Sequence, residues 1–377
     1  MGRVTEQGPR LLFRYADDTA TEVSKLLGKA PPVRPGVPVR LTHLGRVTLR
    51  IFLAALLSFG SGFVLHGFGG SGGVGPPRSA RLVVGVVSSV SSATGQIAYV
   101  VARRGDDFIY TMNPNGTDKT ELTNCGPGEC YPSWSPDGKE ILFQGEYDGV
   151  GIYVMTAKGS DVRRLSPVSS FDVRPSWSPD GSKIIFSRVV APAANGGIPD
   201  TEIDSMNANG TDIKTILRAD NTFNIEARWS PRGSKIAFMS GLNHSQQIYV
   251  MNANGSDVRM ITSQGANGDP FWSPNGSRIS FGSNRQGGGK LNIFTMSPDG
   301  ADVQQVTHFL PPYEAGDTSW SPDGTKIVFE LDKGGHGQSD PDASAQVWII
   351  NANGTGAAST HQACSAVGCA PRWQPAA

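Results

Sequence analysis

The sequence predicts an all-β protein, a six-bladed β-propeller of four-stranded antiparallel blades, and three observations support this prediction. A Trp-Ser-Pro-x-Gly motif recurs along the chain at intervals of 43 to 53 residues, which indicates a repeat architecture. The 377 residues include 47 Gly and 26 Pro, well above the average usage of roughly 12% for the two together. Finally, the two ends of the repeat region carry partial repeats that complement each other.

Each repeat begins with the motif and supplies four short strands. In the first complete copy, the motif is followed by apolar runs at residues 141–143 and 152–155 and by a last strand at residues 163–165. The connections are Pro-Asp-Gly or Asn-Gly turns, whose residues tolerate the positive φ of tight hairpins. We therefore interpret the motif as turn chemistry beside a core Trp, without catalytic content. The motif tryptophans are Trp134, Trp177, Trp229, Trp272, Trp320 and, in a degraded copy, Trp373.

Ring closure accounts for the two ends of the repeat region. Residues 96–377 number 282, the length of six units of 47. Residues 96–101, 108–112 and 120–123 match strands two to four of a unit, whereas residues 370–373 match only its Trp strand. The two parts complete one blade joined from both ends of the region, and a closed ring leaves no exposed sheet edge.

The residues before the repeats predict an export segment. Residues 1–50 are a basic, irregular leader, residues 51–65 carry no charge, and residues 71–95 form a Gly/Ser-rich linker. This layout is typical of a signal peptide, and the run extended over residues 51–70 approaches the roughly 20 residues of a membrane anchor. The basic side is expected to stay in the cytoplasm, so that the propeller is periplasmic, secreted or anchored outside. Because no Met occurs between Met1 and Met112, a translation start near Val47 is a further hypothesis.

The zero net charge divides into two opposite parts. Residues 1–95 carry 11 basic and 4 acidic side chains, and residues 96–377 carry 22 basic and 29 acidic ones. An acidic repeat region repels phosphate backbones, which argues against nucleic-acid binding. Contact with a membrane is expected only through residues 51–70, and the propeller is expected to be a monomer.

The repeat pattern resembles the TolB-type, WD-repeat-like β-propeller family. Residues 229–257 show it in full, from Trp-Ser-Pro through Ile-Ala-Phe to Ile-Tyr-Val-Met-Asn-Ala-Asn-Gly-Ser-Asp. The resemblance covers residues 96–377 and implies an exported binding scaffold, with lipoprotein and Tol-system partners in the periplasm. The chain departs from the family's full pattern, because residues 1–95 offer no α/β domain before the propeller. The same propeller also occurs fused to prolyl-oligopeptidase-type hydrolases and as a lyase scaffold.

Four cysteines lie in loops before two neighbouring Trp strands. Cys125 and Cys130 precede Trp134, and Cys364 and Cys369 precede Trp373, both pairs with C-x4-C spacing. Outside the cytoplasm we expect two disulfides that close these loops, Cys125–Cys130 and Cys364–Cys369. Crossed pairing between the loops and a four-thiolate zinc site are the alternatives.

The position three residues before each motif Trp is the candidate binding site. By analogy with the family, these positions should form a ring at the mouth of the central channel. Converging carboxylates could bind a cation or a basic peptide end, whereas turn capping and hydrogen bonding between blades is the structural alternative. The ring consists of Tyr131, Arg174, Glu226, Asp269, Asp317 and Ala370.

Other candidate sites are weaker. His308 and His361 lie in loops of the same face and could join an acid in a transition-metal site, although no third His lies in the matching loops. The Asn-x-Asn-Gly-x-Asp stretches, as at residues 252–257, lack the final Glu of a calcium loop. A Gly-x-Ser-x-Gly match at residues 69–73 lies in the linker, without the strand and helix that a nucleophile elbow needs.

The leading functional prediction is an exported, non-enzymatic propeller that binds a protein or peptide partner in the cell envelope, without a required cofactor. One alternative is a metal-dependent polysaccharide lyase or hydrolase on a propeller scaffold. A second alternative is a surface sensor module anchored through residues 51–70. The fold alone does not decide among them.

Overall fold

The computed structural model describes residues 95–376 except 104, 129, 192–198, 221, 242–245, 287–288, 334–344 and 365–367. The predicted leader, export segment and all but the last residue of the linker lie outside the described residues. Within them the chain forms 24 β-strands and no helix. No helix there is therefore long and apolar enough to cross a membrane.

Six separate four-stranded antiparallel sheets form the blades. Blade 1 contains β4 (Ser133–Trp134), β5 (Glu140–Glu146), β6 (Val150–Thr156) and β7 (Arg163–Arg164). Blade 2 contains β8 (Asp172–Trp177), β9 (Lys183–Ala191), β10 (Asp200–Asn207) and β11 (Lys214–Leu217). Blade 3 contains β12 (Asn224–Trp229), β13 (Lys235–Ser240), β14 (Gln247–Asn252) and β15 (Arg259–Met260).

The remaining blades follow the same order, apart from the one that closes the ring. Blade 4 contains β16 (Asn267–Trp272), β17 (Ile279–Ser283), β18 (Asn292–Met296) and β19 (Gln304–Gln305). Blade 5 contains β20 (Tyr313–Trp320), β21 (Lys326–Lys333), β22 (Gln346–Asn351) and β23 (Ala358–Ala363). Blade 6 combines β24 (Arg372–Trp373) with β1 (Ile97–Arg103), β2 (Asp106–Met112) and β3 (Thr120–Gly126).

Blade 6 confirms the predicted closure of the ring from both ends. Its Trp strand pairs with β1 through Ile97 opposite Trp373 and Ala98 opposite Arg372. The Gln374 amide N–H donates to the Gln96 carbonyl at 2.8 Å, and its side chain accepts from the Gln96 amide at 3.0 Å. The six-bladed, all-β prediction is therefore confirmed.

The apolar core lies between neighbouring sheets. One buried cluster joins Leu142 and Ile152 of blade 1 to Trp177, Ile184 and Phe186 of blade 2. Because a four-stranded sheet has two apolar faces to bury, each blade needs a neighbour on both sides. The motif Trp and the Ile-x-Phe run after it supply this packing in each copy.

In blades 1, 2 and 5 the turn after the motif Trp is held by its Ser and Asp side chains. Ser135 Oγ accepts hydrogen bonds from the amides of Lys139 and Glu140, at 3.1 and 2.9 Å, and donates to Asp137 Oδ1 at 2.7 Å. The Ser135 hydrogen bond, followed by that from the Lys139 amide, lowers the pKa of Asp137 to about 2. These bonds agree with the interpretation of the motif as turn chemistry.

The antiparallel order gives the ring two distinct faces. The motif face carries the turns between first and second strands, as at residues 134–138, and those between third and fourth strands, as at residues 156–161. The mouth face carries the hairpins between second and third strands and the connections between blades. Gly95 lies against Gln374 on the motif face, so the described chain begins and ends there.

A glycine in the turn between third and fourth strands contacts the preceding blade in all six cases. Gly255, with φ +85°, is so placed that a Cβ atom would lie 2.1 Å from the Ile216 carbonyl oxygen. The other five approach an equivalent carbonyl: Gly116, Gly159, Gly210, Gly300 and Gly354. The glycine turn between the third and fourth strands is thus a blade-docking surface as well as a hairpin.

We expect Gly255→Ala to destabilise the propeller more than Gly105→Ala, as measured by urea unfolding. Gly105 also has a positive φ, +90°, but nothing lies within 4 Å of its Cβ position. Its substitution should cost only the left-handed backbone penalty of about 1–2 kcal/mol. Equal losses in the two variants would contradict a docking role for Gly255.

Candidate functional site at the mouth of the central channel

All six candidate residues of the predicted ring share an unusual backbone. Their φ angles lie between 39° and 63°, a left-handed conformation that non-glycine residues rarely adopt. In blades 2 to 5 the register between first and second strands shifts across this position. Such a β-bulge re-aims the side chain that it carries, here toward the channel axis. Tyr131, Arg174, Glu226, Asp269, Asp317 and Ala370 are the six.

Arg174 joins four blades at the centre of the ring. Its Nη1 lies 2.6 Å from Glu226 Oε1 and 3.7 Å from Asp269 Oδ1. Its guanidinium carbon lies 3.5 Å from the ring centroid of Tyr131, close enough for a cation–π contact. The Arg174 side chain is 1% exposed. Four of the six predicted positions therefore meet in a buried ion network rather than an open ring of side chains.

The acidic residues of the ring repel one another. Burial, followed by the charges of Asp317 and Glu226, raises the pKa of Asp269 well above its usual range. The Asp269 amide donates to Glu226 Oε2 at 2.7 Å, and Asp317 Oδ1 accepts from Arg372 Nη2 at 3.3 Å. Hydrogen bonds and ion pairs between blades thus hold the carboxylates in place.

A gap remains beside this network on the mouth face. Its volume is about 10 Å³, roughly the space that one water molecule occupies. The lining includes Asp107, Tyr131, Asp317 and Ala370. Burial, followed by the charge of Asp106, raises the pKa of Asp107 to about 7.

The two predicted disulfides, Cys125–Cys130 and Cys364–Cys369, are formed. They close loops of blades that are neighbours in the ring. Because each cysteine pairs within its own loop, neither crossed pairing nor a four-thiolate zinc site is present. Cys130 and Gly368, one from each loop, line the gap. The Cys369 amide also donates to Glu330 Oε2 at 2.6 Å, which links the second loop to blade 5.

The histidines predicted as weak metal ligands are not brought into the network. His308 and His361 are both exposed. Among the described residues, no group of three or more His, Cys, Asp or Glu side chains could hold a metal ion.

Asp107 and three channel residues, Arg228, Phe271 and Arg372, were not predicted from the sequence. Asp107 lies in β2, the third strand of blade 6, away from every motif. The other three directly precede a motif Trp, where blades 1, 2 and 5 have Ser. These three positions lie two residues after the predicted ring positions, and residues two apart on a strand face the same side. The variation from Ser to Arg or Phe was therefore the signal that could have identified them.

Breaking the Arg174–Glu226 pair should strongly destabilise the protein. Arg174→Met leaves Glu226 buried and uncompensated, which costs about 3–5 kcal/mol, and adding Glu226→Gln should restore part of this loss. Arg163→Met breaks an exposed pair with Glu140 and should cost no more than about 1 kcal/mol. Unfolding free energies of the wild type, Arg174→Met, Glu226→Gln and the double variant give a double-mutant cycle, and additive effects of the two substitutions would refute the coupling.

Asp107 should make stability fall as the pH rises toward neutrality. The folded chain binds its proton more tightly than the unfolded chain, where the pKa is about 3.9. This contribution is complete below about pH 4 and is lost as the pH rises through about 7. The unfolding free energy of the wild type minus that of Asp107→Asn should therefore decrease between pH 4.5 and 7.5. A difference that stays constant or grows with pH would contradict the burial of this acid.

Comparison with solved structures places the ring among known propellers. TolB from Acinetobacter baumannii superposes with a TM-score of 0.59 at 20% identity, over 75% of this chain and 67% of that one. A putative TolB from Agrobacterium tumefaciens gives 0.57 at 20% identity, over 75% and 100%. Hydrazine synthase from Kuenenia stuttgartiensis gives 0.58 at 14% identity, over 74% of this chain and 46% of that one. At these identities the likeness shows the fold alone.

Family membership rests on the sequence match. No curated protein matches the chain by sequence. The family model of the TolB β-propeller domain matches residues 86–216 and 206–310, which together span more than half of the 377 residues. The chain therefore belongs to the TolB β-propeller domain family.

Proposed function

We propose that this protein is an exported, non-enzymatic scaffold that binds a protein or peptide partner in the cell envelope through its mouth face. Three features support an extracytoplasmic location: family membership, two disulfides of the kind that persist in oxidising compartments, and the uncharged run within residues 51–70. The propeller acts as a monomer, and residues 51–70 provide its only contact with a membrane.

The observation that carries the proposal is the gap between Asp107 and Asp317. Two acidic side chains from different blades line a space of about 10 Å³, and two disulfide-closed loops border it. An ammonium group is close in size to a water molecule, so the gap suits a Lys side chain or a chain amino terminus. A bound cation would favour the ionised form of Asp107.

The surroundings of the gap favour a protein partner. Of the nine large apolar side chains that are exposed on the described residues, five lie toward the mouth face, three of them in loops and two near the mouth-face ends of strands. Exposed apolar groups around a polar centre are typical of protein interaction sites. These side chains are Tyr147, Val168, Val190, Leu310 and Tyr313.

Site-specific photo-cross-linking of the full-length protein in its native envelope tests this proposal. A benzophenone amino acid replaces Tyr147 on the mouth face or, as the matched control in the same blade, Val162 beside a motif-face turn. Both positions are exposed, at 48% and 40%. A partner should be captured from position 147 and not from 162, because only the former lies beside the loops that border the gap.

Asp107→Asn provides the second arm, since it prevents ionisation at this side of the gap without changing its shape. The yield from position 147 should fall at least several-fold in this variant. Equal capture at both positions, or capture that is indifferent to Asp107, would overturn the proposal. Tightly held Mn or Zn in the purified protein would instead favour the lyase alternative.

A further inference from the structure

The motif face contains a larger cavity than the mouth face. Its volume is about 400 Å³, within the usual range of small-molecule sites. The six motif tryptophans and the proline two positions after each of them line it, one pair from every blade. We call this cavity the Trp-Pro chamber. Its walls are mainly apolar, and the Arg174 network lies on the side of the channel toward the mouth face.

The side chains of Arg228, Phe271 and Arg372 also line the chamber. Both guanidinium carbons lie 5.8 Å from the ring centroid of Phe271. Phe271 and Arg228 come from neighbouring blades and Arg372 from the closing blade, so three blades place these groups together. The result is a pair of cations beside an aromatic ring in an apolar chamber.

Arg228 carries a buried charge without a close counter-ion. The residue is 7% exposed, and its Nη1 donates only a long bond, 3.4 Å, to the Ala227 carbonyl. Among the described residues, no Asp or Glu oxygen lies within 4.0 Å of its guanidinium nitrogens. Burial, followed by the charge of Arg372, lowers the pKa of Arg228 to about 9. Glu226 and Asp269 attract it from a greater distance.

Arg372 is only partly compensated. Its Nη1 donates to the Pro371 carbonyl at 2.9 Å and its Nη2 to Asp317 at 3.3 Å. Its Nε is buried and has no hydrogen-bond partner among the described residues. An uncompensated buried guanidinium costs several kcal/mol, and a carboxylate is the anion whose two oxygens match its donors.

We propose that the Trp-Pro chamber binds a small organic carboxylate with an apolar body. The carboxylate pairs with Arg228 and Arg372, and the apolar body lies among the tryptophans and prolines. This site is distinct from the mouth and does not depend on the function proposed for it. Two positive side chains select for the anion, and the chamber volume selects for a ligand of small size.

Calorimetric titration of the full-length protein with 3-phenylpropionate tests the proposal, with 3-phenylpropionamide as a neutral probe of the same shape. The acid should bind at least ten-fold more tightly than the amide, and only the acid should raise the melting temperature. This comparison needs no variant. Equal binding of the two, or no binding of the acid at millimolar concentration, would overturn the proposal.

Arg228→Gln should abolish the preference for the acid, whereas Arg259→Gln should retain it. The control removes the same charge from an exposed position of the same blade. Because Arg228 lacks a close counter-ion, Arg228→Gln should fold at least as stably as the wild type. Acid binding unchanged in Arg228→Gln would place the ligand elsewhere and refute the assignment. Binding of a Phe-terminated peptide in the absence of acid binding would also refute it, in favour of a protein chain end.

Discussion

The closure of blade 6 is the constraint on which the rest of this structure depends. Two residue pairs join β24 to β1, and the Trp134 indole nitrogen donates to the Arg372 carbonyl at 3.2 Å across the next blade boundary. Without this closure, blades 1 and 5 would each expose an apolar face, and the channel would have no complete wall. Each end of the repeat region is a partial repeat, and the two parts together complete one blade.

A closed ring also creates an electrostatic problem at its axis, where six inner strands bring their side chains together. Side chains of opposite charge from different blades form ion pairs there, chiefly Arg174 with Glu226 and Asp269. A buried network of this kind adds little net stability compared with apolar packing. Arg228 is not part of this network and has no close acidic partner among the described residues.

The fold was predictable because its information is local and repeated. Trp and Pro recur at the same turn in all six copies, and Gly follows in five of them. The partial repeats at residues 96–123 and 370–373 predict closure without any long-range inference. The disulfides were predictable from spacing and expected compartment. The ring positions were predictable from their distance to Trp, but their burial was not, because it depends on side chains of nonadjacent blades. Asp107 and the chamber were missed for the same reason: residues far apart in sequence meet only after closure.

The position of the two ends of the propeller region has a mechanical consequence. Gly95 and Gln374 lie together on the motif face, and β1 leaves this face while β24 returns to it. Force applied between the ends would therefore peel the two strands apart one hydrogen bond at a time instead of shearing all of them together. A propeller held by its amino-terminal side alone carries no such load across the joint. If a propeller is attached at one end alone, the two residue pairs between β24 and β1 are enough to keep the ring closed.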